Sequence, residues 1–144
     1  MARGYPDFFG FSVFPFYGST LETGGLKTAP FGVETALVTV AGKGQIYNCE
    51  YLTQDADAVN LDAVRLYVDG IAISGDSFQQ QYTRNKHMMI PGEMIATCYD
   101  PNTPRYAGFI QGSIPFGMSA QLRYNSTGVN DVDVYAWITY TLFL

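Results

Sequence analysis

The final run of the chain alternates without a break. Val132, Val134, Ala136, Ile138, Tyr140 and Leu142 fall on one side, and Asp133, Tyr135, Trp137, Thr139, Thr141 and Phe143 on the other. A period of two puts successive side chains on opposite faces of a strand. Bulky groups occur on both sides towards the end, so this strand is expected to be central or to lie against a neighbour. The same period runs through Glu34–Val40. It recurs in Ala63–Val68, where Val64, Leu66 and Val68 oppose Arg65 and Tyr67. Asp69-Gly70 is a two-residue hairpin signal, with Ile71–Ile73 as the return strand. The sequence carries no convincing 3.6-residue apolar stripe, so no long helix is expected. The expected fold is all-β: an antiparallel β-sandwich of eight to ten strands.

The remaining segments follow from turn chemistry. Gly42-Lys43-Gly44 is read as turning the 34–40 strand into Gln45–Tyr51, a hairpin. Residues 53–62 are acidic and irregular, and the polar stretch 77–87 is read as a loop. Met88–Ile90 and Glu93–Tyr99 are strand pieces around Pro91-Gly92. Tyr106–Gln111, Ile114–Phe116 and Ser119–Tyr124 are further strands. Val38, Val40, Ile46, Val64, Leu66, Val68, Leu122, Val134 and Ile138 are expected to form the core.

The surface this composition implies is unusual. Charged residues are 15% of the 144, against about 25% in ordinary domains. Hydrophobic residues are 47%, with 11 Tyr and 10 Phe, and the net charge is −5. Those numbers exclude a disordered chain, a coiled coil and a basic nucleic-acid module. Interface cores are poor in Lys and Glu and rich in Tyr, Phe and Met. A subunit of an assembly therefore fits better than a free monomer. No run is long and apolar enough for a secretory signal or a membrane helix, so neither processing nor a membrane is expected.

The first residues are the densest in aromatics. Tyr5, Phe8, Phe9, Phe11, Phe14, Phe16 and Tyr17 occupy seven of 13 positions. Their alternation slips by one residue near Val13, as at a bulge or bend. Gly18–Gly25 then reads as turn-prone. The division expected is an extended N-terminal arm and linker over 1–33 and a sandwich over 34–144. One face of a strand cannot bury so many rings in a domain already supplied with strands, so the seven aromatics are taken as an assembly interface. An edge strand of the same sandwich is the alternative.

Chemistry-bearing residues are sparse. His87 is the single histidine and stands in a polar loop, so neither a hydrolytic triad nor a zinc site is expected. Cys49 and Cys98 stand alone and are expected as buried free thiols. Glu22, Glu34, Glu50 and Glu93 could supply a glycosidase pair, but solvated faces and turns explain them better. Asp55, Asp57 and Asp62, with Asp69 and Asp76, could ligate Ca²⁺, although the calcium-loop spacing fails at Val59 and Asn60. Asn125-Ser126-Thr127 matches a glycosylation pattern and is read as a turn. No cofactor and no catalytic residue is expected.

Three segments together resemble a known group. They are Leu66-Tyr-Val-Asp-Gly70, Ile114-Pro-Phe-Gly-Met-Ser-Ala-Gln-Leu-Arg-Tyr124 and Tyr135-Ala-Trp-Ile-Thr-Tyr-Thr-Leu-Phe143, with Val38–Ile46 upstream. Over about residues 34–144 the chain resembles small β-sandwich virion structural proteins of tailed bacteriophages, of the capsid decoration, head-fibre or tail type. The resemblance implies a jelly-roll-like sandwich without enzymatic activity. It implies a homo-oligomer, with a trimer favoured, that meets other virion proteins in a particle assembled in the host cytoplasm. A carbohydrate- or receptor-binding module, with an exposed Tyr or Trp137 as stacking platform for a surface glycan, is the second reading. A small β-sandwich hydrolase is the third.

Overall fold

The computed structural model describes residues 20–85 and 94–143. It contains β1 (Leu21–Ala29), β2 (Glu34–Ala41), β3 (Gly44–Thr53), β4 (Ala63–Val68), β5 (Ile71–Ser74), α1 (Phe78–Asn85), β6 (Ile95–Asp100), β7 (Arg105–Phe116), β8 (Ser119–Asn125) and β9 (Val132–Leu142). Two antiparallel sheets pack face to face. One has five strands in the order β1-β9-β3-β7-β6, and the other four in the order β2-β8-β4-β5. The all-β sandwich expected from period-two alternation is the fold observed. The alternating run 132–142 is central in its sheet, held between β1 and β3. Among the described residues the single helix has eight residues, too few to cross a membrane.

Alternation also identified the core. Val38, Val40, Ile46, Val64, Leu66, Leu122, Val134 and Ile138 are all buried between the sheets. Val68, at the turn end of β4, is only partly buried and packs against the core from its margin. The Asp69-Gly70 turn joins β4 to β5 as expected. Asp69 has φ 51° and Gly70 φ 84°, the two positive values that a primed hairpin turn requires.

Four expectations are corrected. Strands β2 and β3 do not pair with each other: β2 pairs with β8, and β3 with β7 and β9. Gly42-Lys43 is thus a corner between sheets, fastened by Gly42 N–H donating to Met118 O and Phe143 N–H donating to Lys43 O, both at 2.8 Å. Alternation reports which face a residue takes, not which strand lies beside it. Second, residues 21–29 are strand β1, paired along its whole length with β9, so the sheet begins before residue 34. Gly24 is there because of Trp137. A β-carbon at position 24 would stand 2.0 Å from Ala136 O and 2.8 Å from the indole Cδ1.

Third, the expected loop 77–87 contains α1. Ser77 and Gln80 form a reciprocal cap, with Gln80 N–H donating to Ser77 Oγ (3.2 Å) and Ser77 N–H donating to Gln80 Oε1 (3.0 Å). The helix is anchored by rings more than by propensity. Phe78 stacks between Tyr51 (5.3 Å) and Tyr106 (4.7 Å), and Tyr82 stacks on Tyr99 at 4.5 Å. Gln81 is buried beside them and accepts a 2.7 Å hydrogen bond from the Tyr51 hydroxyl. Burial pushes the Tyr51 and Tyr124 phenols up, so both remain protonated donors. Fourth, 106–111 and 114–116 are one strand, β7, whose register against β3 shifts between Ile46 and Asn48, leaving Tyr47 unpaired at a bulge.

Candidate interaction surface

Most of the described acidic residues considered for metal or acid–base chemistry are engaged by the protein's own donors. The buried Asp62 carboxylate accepts from Tyr124 Oη (2.6 Å), Thr127 N–H (2.6 Å), Thr127 Oγ1 (2.9 Å) and Val59 N–H (3.2 Å). Asp55 accepts from the backbone of Asp57 and Asp133, and Asp57 accepts from Asn130. Asp69 receives three successive N–H groups, of Gly117, Met118 and Ser119. Asp76 pairs with Arg84, Glu34 lies 3.8 Å from Arg65, and Glu50 accepts from Asn48. Among the described residues no three His, Cys, Asp or Glu side chains gather as a metal site. Thr127, the third residue of the glycosylation-like triplet, spends its hydroxyl on Asp62.

Of the two cysteines, Cys49 is buried between the sheets and Cys98 is partly exposed on β6; both are free thiols. Cys98 departs from the expectation of burial because β6 is an edge strand whose register against β7 shifts between Ala96 and Cys98. His87, Glu93 and the aromatic residues Tyr5, Phe8, Phe9, Phe11, Phe14, Phe16 and Tyr17 lie outside the described residues.

What the fold does create is a contrast between its two outer faces. Directly opposed residues of an antiparallel pair share a face, so the register assigns each row. On the four-stranded sheet, Thr39, Gln121 and Tyr67 form one outward row, and Arg123 and Arg65 another. These groups satisfy one another. Arg123 donates to Gln121 Oε1 at 2.8 Å and lies 4.2 Å over the Tyr67 ring, while Gln121 Nε2 donates to Thr39 Oγ1 at 3.2 Å. The opposed guanidiniums diverge, Arg65 turning to Glu34 and to the Gly75 carbonyl.

The five-stranded sheet differs in its middle: between polar rows at Glu22-Thr139-Asn48-Gln111 and Thr28-Asp133 its outward residues are largely apolar, whereas the exposed Ile71 and Ile73 of the four-stranded sheet lie on its edge strand β5. One outward row reads Leu26, Tyr135, Leu52, Ala107, Cys98, and the next reads Gly24, Trp137, Glu50, Phe109, Ile95. Leu26 is 56% exposed and Tyr135 42%. The rings of Tyr135 and Trp137 lie nearly parallel, 5.8 Å apart and 8° from coplanar orientation. Small Ala107 leaves a depression of about 420 Å³ beside Leu52 and Phe109, with Asn48, Glu50 and Gln111 at its polar side. Tyr47, the bulge residue, adds a further exposed ring. A contiguous outward apolar patch on one sheet is the usual mark of a partner surface.

Trp137 was singled out from the sequence as a platform, and it lies on this face. Leu26, Leu52 and Phe109 were not, because they come from three different strands and only the register assembles them. The one usable signal was the second face of β9, where Tyr135 and Trp137 alternate outward.

No protein-family model matches this sequence, and no curated protein matches it. Among solved structures the chain is similar to the infectious bursal disease virus VP2 subviral particle, with a TM-score of 0.41 and 10% identity. The match covers 87% of this chain and 32% of that one, so this chain spans about a third of the length of the VP2 chain.

Proposed function

We propose that this chain is a virion structural protein that self-assembles, or that decorates a capsid or tail, and that it performs no catalysis. The strand order supports this reading. With β6 set aside, β1-β9-β3-β7 facing β2-β8-β4-β5 is the wrapping of two Greek keys into a jelly roll. The observation that carries it is the aromatic outer face of the five-stranded sheet, in a protein where only 15% of residues are charged. Apolar surface of that kind is stabilised by being covered, at about 25 cal/mol per Å² buried. The setting proposed is a phage-type particle put together in the host cytoplasm, with copies of this chain and other virion proteins as partners.

The test is the solution mass of the full chain across a wide concentration range. A discrete trimer or larger oligomer is expected. A monomer at every concentration, with no attachment to particles of its source, overturns the reading.

A second reading, binding of a surface glycan, is favoured by one feature. The parallel Tyr135–Trp137 pair beside a depression with Asn48, Glu50 and Gln111 has the stacking plane and the hydrogen-bonding groups that a sugar ring uses. A glycan array probed with the full chain decides it: binding abolished by Trp137→Ala supports the reading, and a blank array removes it.

A further inference from the structure

We propose that the outer face of the five-stranded sheet, at Leu26, Leu52, Phe109, Tyr135 and Trp137, is the docking surface for the aromatic segment Tyr5–Tyr17 of a second copy of this chain. This deepens the self-association reading and rests on it. The composition of the segment matches the surface. From Phe8 onward the segment contains no charged side chain, and the two central outward rows of the face contain one, Glu50, which already accepts from Asn48; Glu22 and Asp133 stand in the flanking rows. Phe and Tyr on one side meet Leu, Phe, Tyr and Trp on the other, the pairing that dominates interface cores.

The place where the segment joins the fold argues for a neighbour. It enters at Leu21, the first residue of β1, opposite Tyr140. The line of β1 points out of the sheet past its Tyr140 end, away from the rows at Tyr135 and Trp137, so a neighbour's face lies ahead of it and its own face lies behind. Reach is no obstacle. Nineteen residues span up to about 60 Å when extended, while five strands are only about 19 Å across. Pro15 lacks the N–H that a central ladder needs, which favours contact through side chains laid across a face.

The geometry also supplies a reporter. Trp137 is the only tryptophan of the sequence and stands on the face one strand in from the β1 edge. Its emission should be blue-shifted and shielded from quencher in the assembled protein, and should become accessible on dilution.

The decisive experiment uses the full chain with photo-reactive benzoyl-phenylalanine in place of Phe11, mixed in equal parts from unlabelled and ¹⁵N-labelled preparations. Crosslinks are expected between light and heavy chains, onto peptides carrying Leu52, Phe109, Tyr135 or Trp137. Leu26→Glu, a change on an exposed edge-strand position, should raise the concentration at which the assembly dissociates by about tenfold or more. Crosslinks to another part of the partner, or an assembly indifferent to Leu26→Glu, overturn this docking site and leave self-association standing. Crosslinks confined to one chain overturn the second-copy occupant. A chain that stays monomeric overturns both this inference and the reading beneath it.

Discussion

The hydroxyl of Tyr124 donates to the carboxylate of Asp62 across 2.6 Å, both residues buried and 62 positions apart. Around that bond the β3–β4 loop, β8 and the start of α1 are joined, because the Asp62 carbonyl also accepts the N–H of Phe78 at 2.9 Å. Tyr124→Phe removes one charge-assisted hydrogen bond and is expected to cost about 1.5–3 kcal/mol. Asp62→Ala strands the Tyr124 hydroxyl and the Thr127 and Val59 donors, and should cost about 3 kcal/mol or more. Urea unfolding of the two variants checks the order. Equal and small losses would mean that water replaces the carboxylate.

Leu66 is fully buried in β4 between the two sheets. Leu66→Ala is expected to destabilise by about 2–5 kcal/mol, the transfer cost plus a cavity. A loss under about 1 kcal/mol in the same measurement would show that the neighbours collapse into the space.

Gly24→Ala places a methyl against the Ala136 carbonyl and the Trp137 ring. Edge strand β1 must then lift away from β9, at a cost of about 1–3 kcal/mol. Thermal unfolding followed by Trp137 emission reads both consequences: a lower midpoint and a red-shifted folded spectrum. An unchanged spectrum would contradict the indole's position over Gly24.

The Asp69 carboxyl is held below the ordinary carboxylate value by the N–H groups of Ser119, Gly117 and Met118. A depressed folded pKa adds stability above the unfolded value, and that stability disappears as pH falls through the folded one. The advantage of the native protein over Asp69→Asn should therefore be full near neutrality and shrink as pH drops below about 4. Urea midpoints of both proteins across that range provide the check. A difference independent of pH would assign the effect to shape alone.

Burial pushes the Cys49 thiol up to about 12. At about pH 8 the folded protein should expose one reactive thiol, Cys98, to an aromatic disulfide reagent, and two after denaturation. Two rapid equivalents in the folded state would show that the sheets open.

What the sequence revealed was facing, and what it hid was adjacency. Val132 to Leu142 declared both faces of β9, and Val64 and Leu66 declared the inner face of β4. The Asp69-Gly70 pair fixed its own turn because the geometry is local. The step from Val40 to Ile46 looked like a hairpin because a sheet corner uses the same short glycine turn. Helix α1 escaped because its start signal, Ser77 with Gln80, is four residues long and its stability comes from Tyr51, Tyr99 and Tyr106 on distant strands. Gly24-Gly25 suggested a turn, yet the reason for Gly24 lies 113 positions away in Trp137. The outer face exists only once Leu26, Leu52, Phe109 and Tyr135 are set side by side by three registers.

The position of β9 bears on how the protein is made. It is made after the other eight described strands, yet it is the partner that both β1 and β3 require. Until it emerges, β1 has no neighbour and β3 keeps one bare edge, so the five-stranded sheet cannot close during synthesis. Pairings this far apart in the chain are also slow to form. The face that Tyr135 and Trp137 complete is therefore absent until β9 has been made. The aromatic surface is available only on molecules whose translation has passed the end of β9.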